Sequence, residues 1–186
     1  FWNALANSQA SVGQVDEALK SYRKVLELSP GFAPAHSNML LSMHWVSSIS
    51  PEEIFAEHQN FGRMYAPPGI ANRSFPNTPD PGRRIRIGYL SPDIRKHSVA
   101  FFLEPLLDFR DRERFEVYGY GAVKTPDDVT RRLRAKFDQY RSVDDMPVPQ
   151  LAALIQGDEL DILIDLAGHA GNLQIAVMGF KPAPVQ

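Results

Sequence analysis

Two stretches of this sequence bring an acid and an imidazole within a few residues of each other, just ahead of what reads as a helix. The first is Ser91-Pro92-Asp93-Ile94-Arg95-Lys96-His97-Ser98, which follows the apolar run Ile85-Arg86-Ile87-Gly88-Tyr89-Leu90 and leads into a helical pattern beginning near Val99. The second is Asp165-Leu166-Ala167-Gly168-His169-Ala170-Gly171-Asn172, again followed by a helical pattern. A neutral imidazole accepts a proton near its ordinary pKa of ~6.5, and helix N-termini favour anions. The combination suits general-base chemistry beside a phosphorylated leaving group. Each residue also has a purely structural reading: Asp93 closing a turn, His97 capping its helix, His169 filling a turn between glycines, and Asp165 accepting backbone amides at a strand end. Metal chemistry has no spacing to stand on, because His36, His44, His58, His97 and His169 form no H-E-x-x-H pattern and the chain has no cysteine. Neither a G-x-x-x-x-G-K-[ST] loop nor a G-x-G-x-x-G turn occurs, so an ATPase or a classical dehydrogenase is unsupported. No resident metal or cofactor is expected.

Loops of this kind need a sheet to hold them. Ile85–Leu90, Phe115–Tyr120 and the nearly continuous apolar run Leu160–Leu166 read as strands, with a further short strand over Arg141–Val143. Helical patterns over 99–107, 127–140, 148–156 and 173–180 lie between and after them. Strands alternating with helices of about ten residues predict βαβ units in a parallel, right-handed sheet. Ligands of such sheets bind beyond the carboxyl ends of the strands, where both acid–imidazole loops fall.

The first 43 residues have a different period. Apolar residues recur three and four apart, through Trp2, Leu5 and Ala6 and then Val15, Ala18, Leu19, Tyr22, Val25 and Leu26. Gly13 separates the two runs, and Ser29-Pro30-Gly31 ends the second. Trp2, Leu5, Ala6, Gly13, Ala18, Tyr22, Val25 and Pro30 fill the slots of a tetratricopeptide repeat, and Ala35–Leu40 begins a second copy about one period later. Stacked repeats bury their faces against neighbours, so this reads as the end of a longer array. Ser50-Pro51-Glu52-Glu53 starts another helix with a capping box, and Pro67, Pro68, Pro76, Pro79 and Pro81 make a linker. The expected division is therefore 1–43 helical repeats, 44–83 helical bridge and Pro-rich linker, and 84–186 a Rossmann-like parallel α/β domain.

Composition limits the partners. Hydrophobic residues at 44% and charged residues at 23% are ordinary for a folded domain. A net charge of −2 offers no broad cationic field for nucleic acid or anionic membrane. No apolar run approaches the ~18 residues of a membrane span, and no leader precedes the first helix, so a cytoplasmic location is expected. The chain opens inside a helical pattern and closes at Pro182–Gln186 without a terminator, so both ends are expected to be cuts.

Taken in order, helical repeats, a short helical bridge and an α/β domain opening R-I-R-I-G-Y-L-S-P-D-x-x-x-H resemble the O-linked N-acetylglucosamine transferases, the bacterial homologues above all. Gly88–Asp93 with His97, Phe115–Tyr118, Asp165–His169 and Lys181-Pro182-Ala183-Pro184-Val185-Gln186 carry the resemblance. It implies a GT-B architecture, with two Rossmann-like domains across a cleft, of which this chain holds the N-terminal one. UDP-N-acetylglucosamine (UDP-GlcNAc) would bind mainly to the C-terminal domain, without metal, and a protein serine or threonine would enter from the repeat side. By the same resemblance His97 and Asp93 lie at the catalytic centre, with His44 and His169 as further active-site candidates. The general base is either His97 or the donor's own phosphate. Half a cleft is expected to be inactive alone. Two other readings remain: a repeat-type peptide-binding module on a non-catalytic α/β scaffold, and a GT-B transferase for another donor such as a fucosyl or glucosyl nucleotide.

Overall fold

A computed structural model describes residues 1–171 and 174–186. They form two compact units, Phe1–Pro67 and Pro68–Gln186.

The first unit is helical. Helices α1 (Trp2–Ser11) and α2 (Val15–Leu28) make a hairpin through Gly13, whose φ of +79° is a left-handed turn that a side chain would strain. Tyr22 donates to Asn7 and Ser21 donates to Gln9, the reversed order of an antiparallel pair. Ala6 and Ala18 are fully buried, and their small side chains let the helices approach closely, with Leu19, Tyr22 and Val25 filling the remaining seam. Helix α3 (Ala33–Met43) follows, then α4 (Pro51–Tyr65). The capping box expected at α4 is present: the Ser50 hydroxyl accepts from the Glu53 amide at 3.1 Å, and the Ser50 amide donates to the Glu53 carboxylate at 2.8 Å. His36, 1% exposed, bridges α3 to α4 through Nε2 and Glu57 at 2.8 Å and lies edge-on to Phe61 and Tyr65.

The second unit is a parallel sheet with helices on both faces. Strands β1 (Ile85–Ser91), β2 (Phe115–Gly121), β3 (Gln139–Ser142) and β4 (Ile162–Asp165) stand in the order β3-β2-β1-β4. Alternation along β1 sends Gly88 and Leu90 to one face and Ile87 and Tyr89 to the other. Helix α7 (Val148–Gly157) and the 3-10 segment Gln174–Phe180 cover the first face, burying Leu151, Ile155 and Val177 with Leu90, Tyr120 and Leu163. Helices α5 (Ser98–Phe109) and α6 (Asp128–Arg134) cover the second, burying Leu103, Leu107 and Leu133 with Val117 and Phe137. Burying a side chain of this size contributes roughly 1.5–3 kcal/mol, so these two layers hold the sheet. Gly88 makes room for one of them: a Cβ there would stand 2.3 Å from Leu160 Cδ1.

Several boundaries differ from the sequence pattern, each for a local reason. The helix expected over 127–140 stops at Arg134, because Phe137 turns into the core and the Asp138 carboxylate takes the Val117 amide at 2.7 Å and Arg110 at 3.0 Å. The chain is thereby steered into β3 two residues before the expected 141–143 strand. The final strand, Ile162–Asp165, is shorter than the expected 160–166, and just before it the Asp161 carboxylate accepts from the Arg86 amide, Arg83 and Asn77. The expected 173–180 helix is a 3-10 segment over its described part, and its first residue, Leu173, lies outside the described residues, as does Asn172 of the preceding loop. The Pro-rich stretch is bound to the α/β unit: Arg73 donates to the Phe180 carbonyl at 2.6 Å and to Gln156 at 2.9 Å. The last residues lie along β4, where Leu163 donates to the Val185 carbonyl at 2.9 Å and Val185 donates to the Asp161 carbonyl at 3.1 Å.

Candidate active site

The carboxyl end of β1 delivers both leading candidates. Ser91 ends the strand fully buried, its carbonyl taken by the Ala122 amide at 3.0 Å and its hydroxyl by the Asp93 amide at 3.0 Å. Ile94 plugs the loop into the core with no exposed surface, which leaves the polar residues around it turned outward. Asp93 Oδ2 lies 3.8 Å from His97 Nδ1, and Asp93 Oδ1 accepts from Arg95 at 3.0 Å. The Asp93 side chain is 17% exposed and that of His97 40%, so the acid is sheltered and the imidazole is open.

His97 is also the N-cap of α5: its Nδ1 accepts from the Val99 amide at 3.3 Å. The structural reading of this residue is realised, and it has a chemical consequence. A lone pair used on an amide cannot carry the proton, so the neutral ring is the Nε2–H tautomer and presents a donor to whatever lies beyond it. For Nε2 to accept a proton instead, Nδ1–H must turn to Asp93.

The second loop leaves the neighbouring strand at the same edge, because Leu90 of β1 pairs with Asp165 of β4 and its carbonyl accepts from the Leu166 amide at 3.0 Å. Asp165 does what its structural reading requires, accepting from the Ala167 amide at 3.2 Å and from the Gly168 amide. Its second oxygen is buried with no hydrogen-bond partner among the described residues, and burial raises its pKa above the ordinary 3.8, the two amides only partly opposing this. His169 lies half-buried in the 3-10 turn Gly168–Ala170. His44 belongs to the helical unit, at the end of α3, where its ring stands edge-on to His58 with centroids 5.4 Å apart.

Two further residues shape the first loop. Arg95 pairs with Asp93, and Asp127, the N-cap of α6, takes the Lys96 amide at 2.8 Å. The Asp-x-x-Thr spacing of a helix cap was visible for Asp127, but nothing in the sequence reveals that it reaches a loop 31 residues away. At the opposite, amino end of the strands, a cavity of about 330 Å³ is lined by Arg83, Arg84, Arg86, Glu116 and Glu159. Its arginines are matched by carboxylates, with Arg86 3.4 Å from Glu116 and 3.3 Å from Glu159, and Arg83 bound to Asp161, so it reads as a structural network. Among the described residues, no helix is long and apolar enough to cross a membrane.

Comparison with known proteins places these features in company. The model of glycosyl transferase family 41 matches residues 68–186. A Petunia hybrida protein named as a probable UDP-N-acetylglucosamine–peptide N-acetylglucosaminyltransferase, SPINDLY, is 32% identical over 165 residues, which cover 87% of this chain and 18% of that protein. A Caenorhabditis elegans UDP-N-acetylglucosamine–peptide N-acetylglucosaminyltransferase is 30% identical over 108 residues, 56% of this chain and 9% of its own. Among solved structures, a mutant O-GlcNAc transferase of Thermobaculum terrenum superposes on the whole chain with a TM-score of 0.91 at 36% identity, over 36% of its own length. The chain thus spans about a fifth of the Petunia relative and about a third of the solved one.

Proposed function

Because the chain belongs to glycosyl transferase family 41, we propose that it is the acceptor-side portion of a protein O-GlcNAc transferase, moving N-acetylglucosamine from UDP-GlcNAc to serine or threonine hydroxyls of proteins. The observation that carries this reading is the Asp93–His97 pair, 3.8 Å apart on the loop leaving a central parallel strand, inside the region that the family model matches. In the reaction the acceptor oxygen bonds to the anomeric carbon, the bond from that carbon to the phosphate oxygen breaks, and the hydroxyl proton leaves to a base as UDP departs. With Nδ1 engaged by Val99, His97 holds a substrate oxygen through Nε2–H, and the hydroxyl proton passes to the donor phosphate. Asp93 favours the alternative orientation, in which Nδ1–H faces its carboxylate and Nε2 becomes the base.

In this reading α1 to α3 are the end of a tetratricopeptide array that presents protein acceptors, and α4 belongs to the helical bridge that follows. The Gly13 turn and the buried Ala6, Ala18 and Tyr22 seam support it, since those are the positions the repeat reserves for small and aromatic residues. The donor is held mainly by a second α/β domain of the same polypeptide, no metal takes part, and the protein works in the cytoplasm. His169, on the neighbouring loop of the same unit, is a further candidate for the site beside His97 and Asp93.

The test uses the full-length polypeptide that contains this chain. Calorimetric titration with UDP-GlcNAc, UDP-glucose and GDP-fucose should give clear preference to the first, and turnover of UDP-GlcNAc should fall at least ~100-fold in His97→Ala. Preference for another nucleotide sugar overturns the donor assignment. Full activity in His97→Ala removes this loop from the chemistry.

A further inference from the structure

Residues 92–97 adopt no regular structure, so the position of the His97 ring depends on a few discrete contacts. Ser91 Oγ holds the Asp93 amide at one end of the loop, and the His97 carbonyl receives the Ala100 amide at 3.0 Å at the other. Between them, the backbone is fixed from outside by one side chain. Asp127 Oδ2 accepts from the Lys96 amide at 2.8 Å, while its Oδ1 accepts from the Thr130 amide at 2.8 Å and the Thr130 hydroxyl at 3.0 Å. A single carboxylate therefore joins the loop after β1 to the loop after β2, one residue before the imidazole. Both contacts favour its ionised form, Thr130 first and Lys96 second, and its pKa is lowered accordingly.

We propose that Asp127 is a positioning residue for the transferase reaction: through the Lys96 amide it sets the height and orientation of His97 over the sheet edge, in addition to capping α6. The proposal rests on the active-site reading given above. Capping alone needs one acceptor oxygen within reach of Thr130, and serine or asparagine supplies that about as well as aspartate. The strap needs a second acceptor on the same side chain. Serine is too short to reach Lys96, and an asparagine that keeps the cap turns its NH2 group toward the Lys96 N–H, donor against donor. The two roles separate by chemistry.

The experiment compares Asp127→Ser and Asp127→Asn with wild type and with His97→Ala, all in the full-length polypeptide. Both Asp127 variants are expected to keep the wild-type melting temperature and protection of the Thr130 amide, while hydrogen exchange at the Lys96 amide accelerates. The kcat for UDP-GlcNAc turnover should fall about tenfold with little change in KM for the donor, since misplacement by a fraction of an ångström affects the reacting geometry more than binding. Wild-type kcat in both Asp127 variants, with His97→Ala inactive, overturns the positioning role. A parallel rise in donor KM with unchanged kcat also overturns it, because the strap would then act on binding. Full activity in His97→Ala, by contrast, sinks the active-site reading itself.

Discussion

Asp165 shows how one carboxylate can be tied down and still be strained. Two peptide amides hold one of its oxygens, the other is buried without a partner among the described residues, and burial raises its pKa above 3.8. A raised carboxylate pKa gives a contribution to stability that is fully present below the unfolded value and is lost as pH rises through the folded one. Asp165→Asn keeps an acceptor for the Ala167 and Gly168 amides and has no charge to bury. Its urea midpoint should therefore gain on wild type as pH climbs from 4 to 7, and a difference that stays flat across that range would contradict the assignment. At this scale the sequence was informative wherever a residue acted through its immediate neighbours. Asp93 and His97 could be picked out because a strand, a short polar loop and a helix follow one another within a dozen residues. Asp127 was not legible as part of the site, because its second oxygen serves a loop 31 residues upstream, and only the folded sheet brings the two together.

Helices α4 to α7 started about where the sequence said, while strand limits and helix ends were set by tertiary contacts. The Ser50–Glu53 box fixes the start of α4 by hydrogen bonds that any chain with those residues can make. The end of α6 depends on Phe137 finding the core and Asp138 finding the β2 backbone, which no local pattern records. Gly88 makes the same point within a strand. It reads as a weak residue in an apolar run, yet it is the opening into which Leu160 packs, with Tyr120 Cε2 also 3.0 Å from the position of a Cβ. Gly88→Ala should cost about 1–3 kcal/mol through overpacking. In Gly88→Ala/Leu160→Ala the added methyl meets an emptied site, so the combined loss should be smaller than the two single losses added together. Additive losses in chemical denaturation would show that the two residues do not share that space.

For the whole molecule, the change of period near residue 84 was the most legible fact, since helical spacing before it and buried parallel strands after it call for different architectures. The compact division itself falls at Pro67 and Pro68, because Arg73 and Asn77 fasten the intervening Pro-rich stretch to the α/β unit. Within that unit the two ends of the sheet are held by different forces. Side-chain ion pairs among Arg83, Arg84, Arg86, Glu116, Glu159 and Asp161 secure the amino end, several of them partly open to water. The carboxyl end is held largely by peptide N–H groups on Ser91, Asp127 and Asp165. Dissolved electrolyte discriminates between them. At 1 M the screening length shrinks to about 3 Å, which weakens exposed pairs of full charges far more than short amide contacts. Raising sodium chloride should therefore hasten deuterium uptake at Arg86, whose amide leans at 2.9 Å on Asp161, a carboxylate held in place by its ion pair with Arg83, while Lys96, whose acceptor Asp127 is held by Thr130, keeps its rate. Ionic strength then becomes a handle that loosens one rim of the sheet and leaves the rim bearing His97 in place.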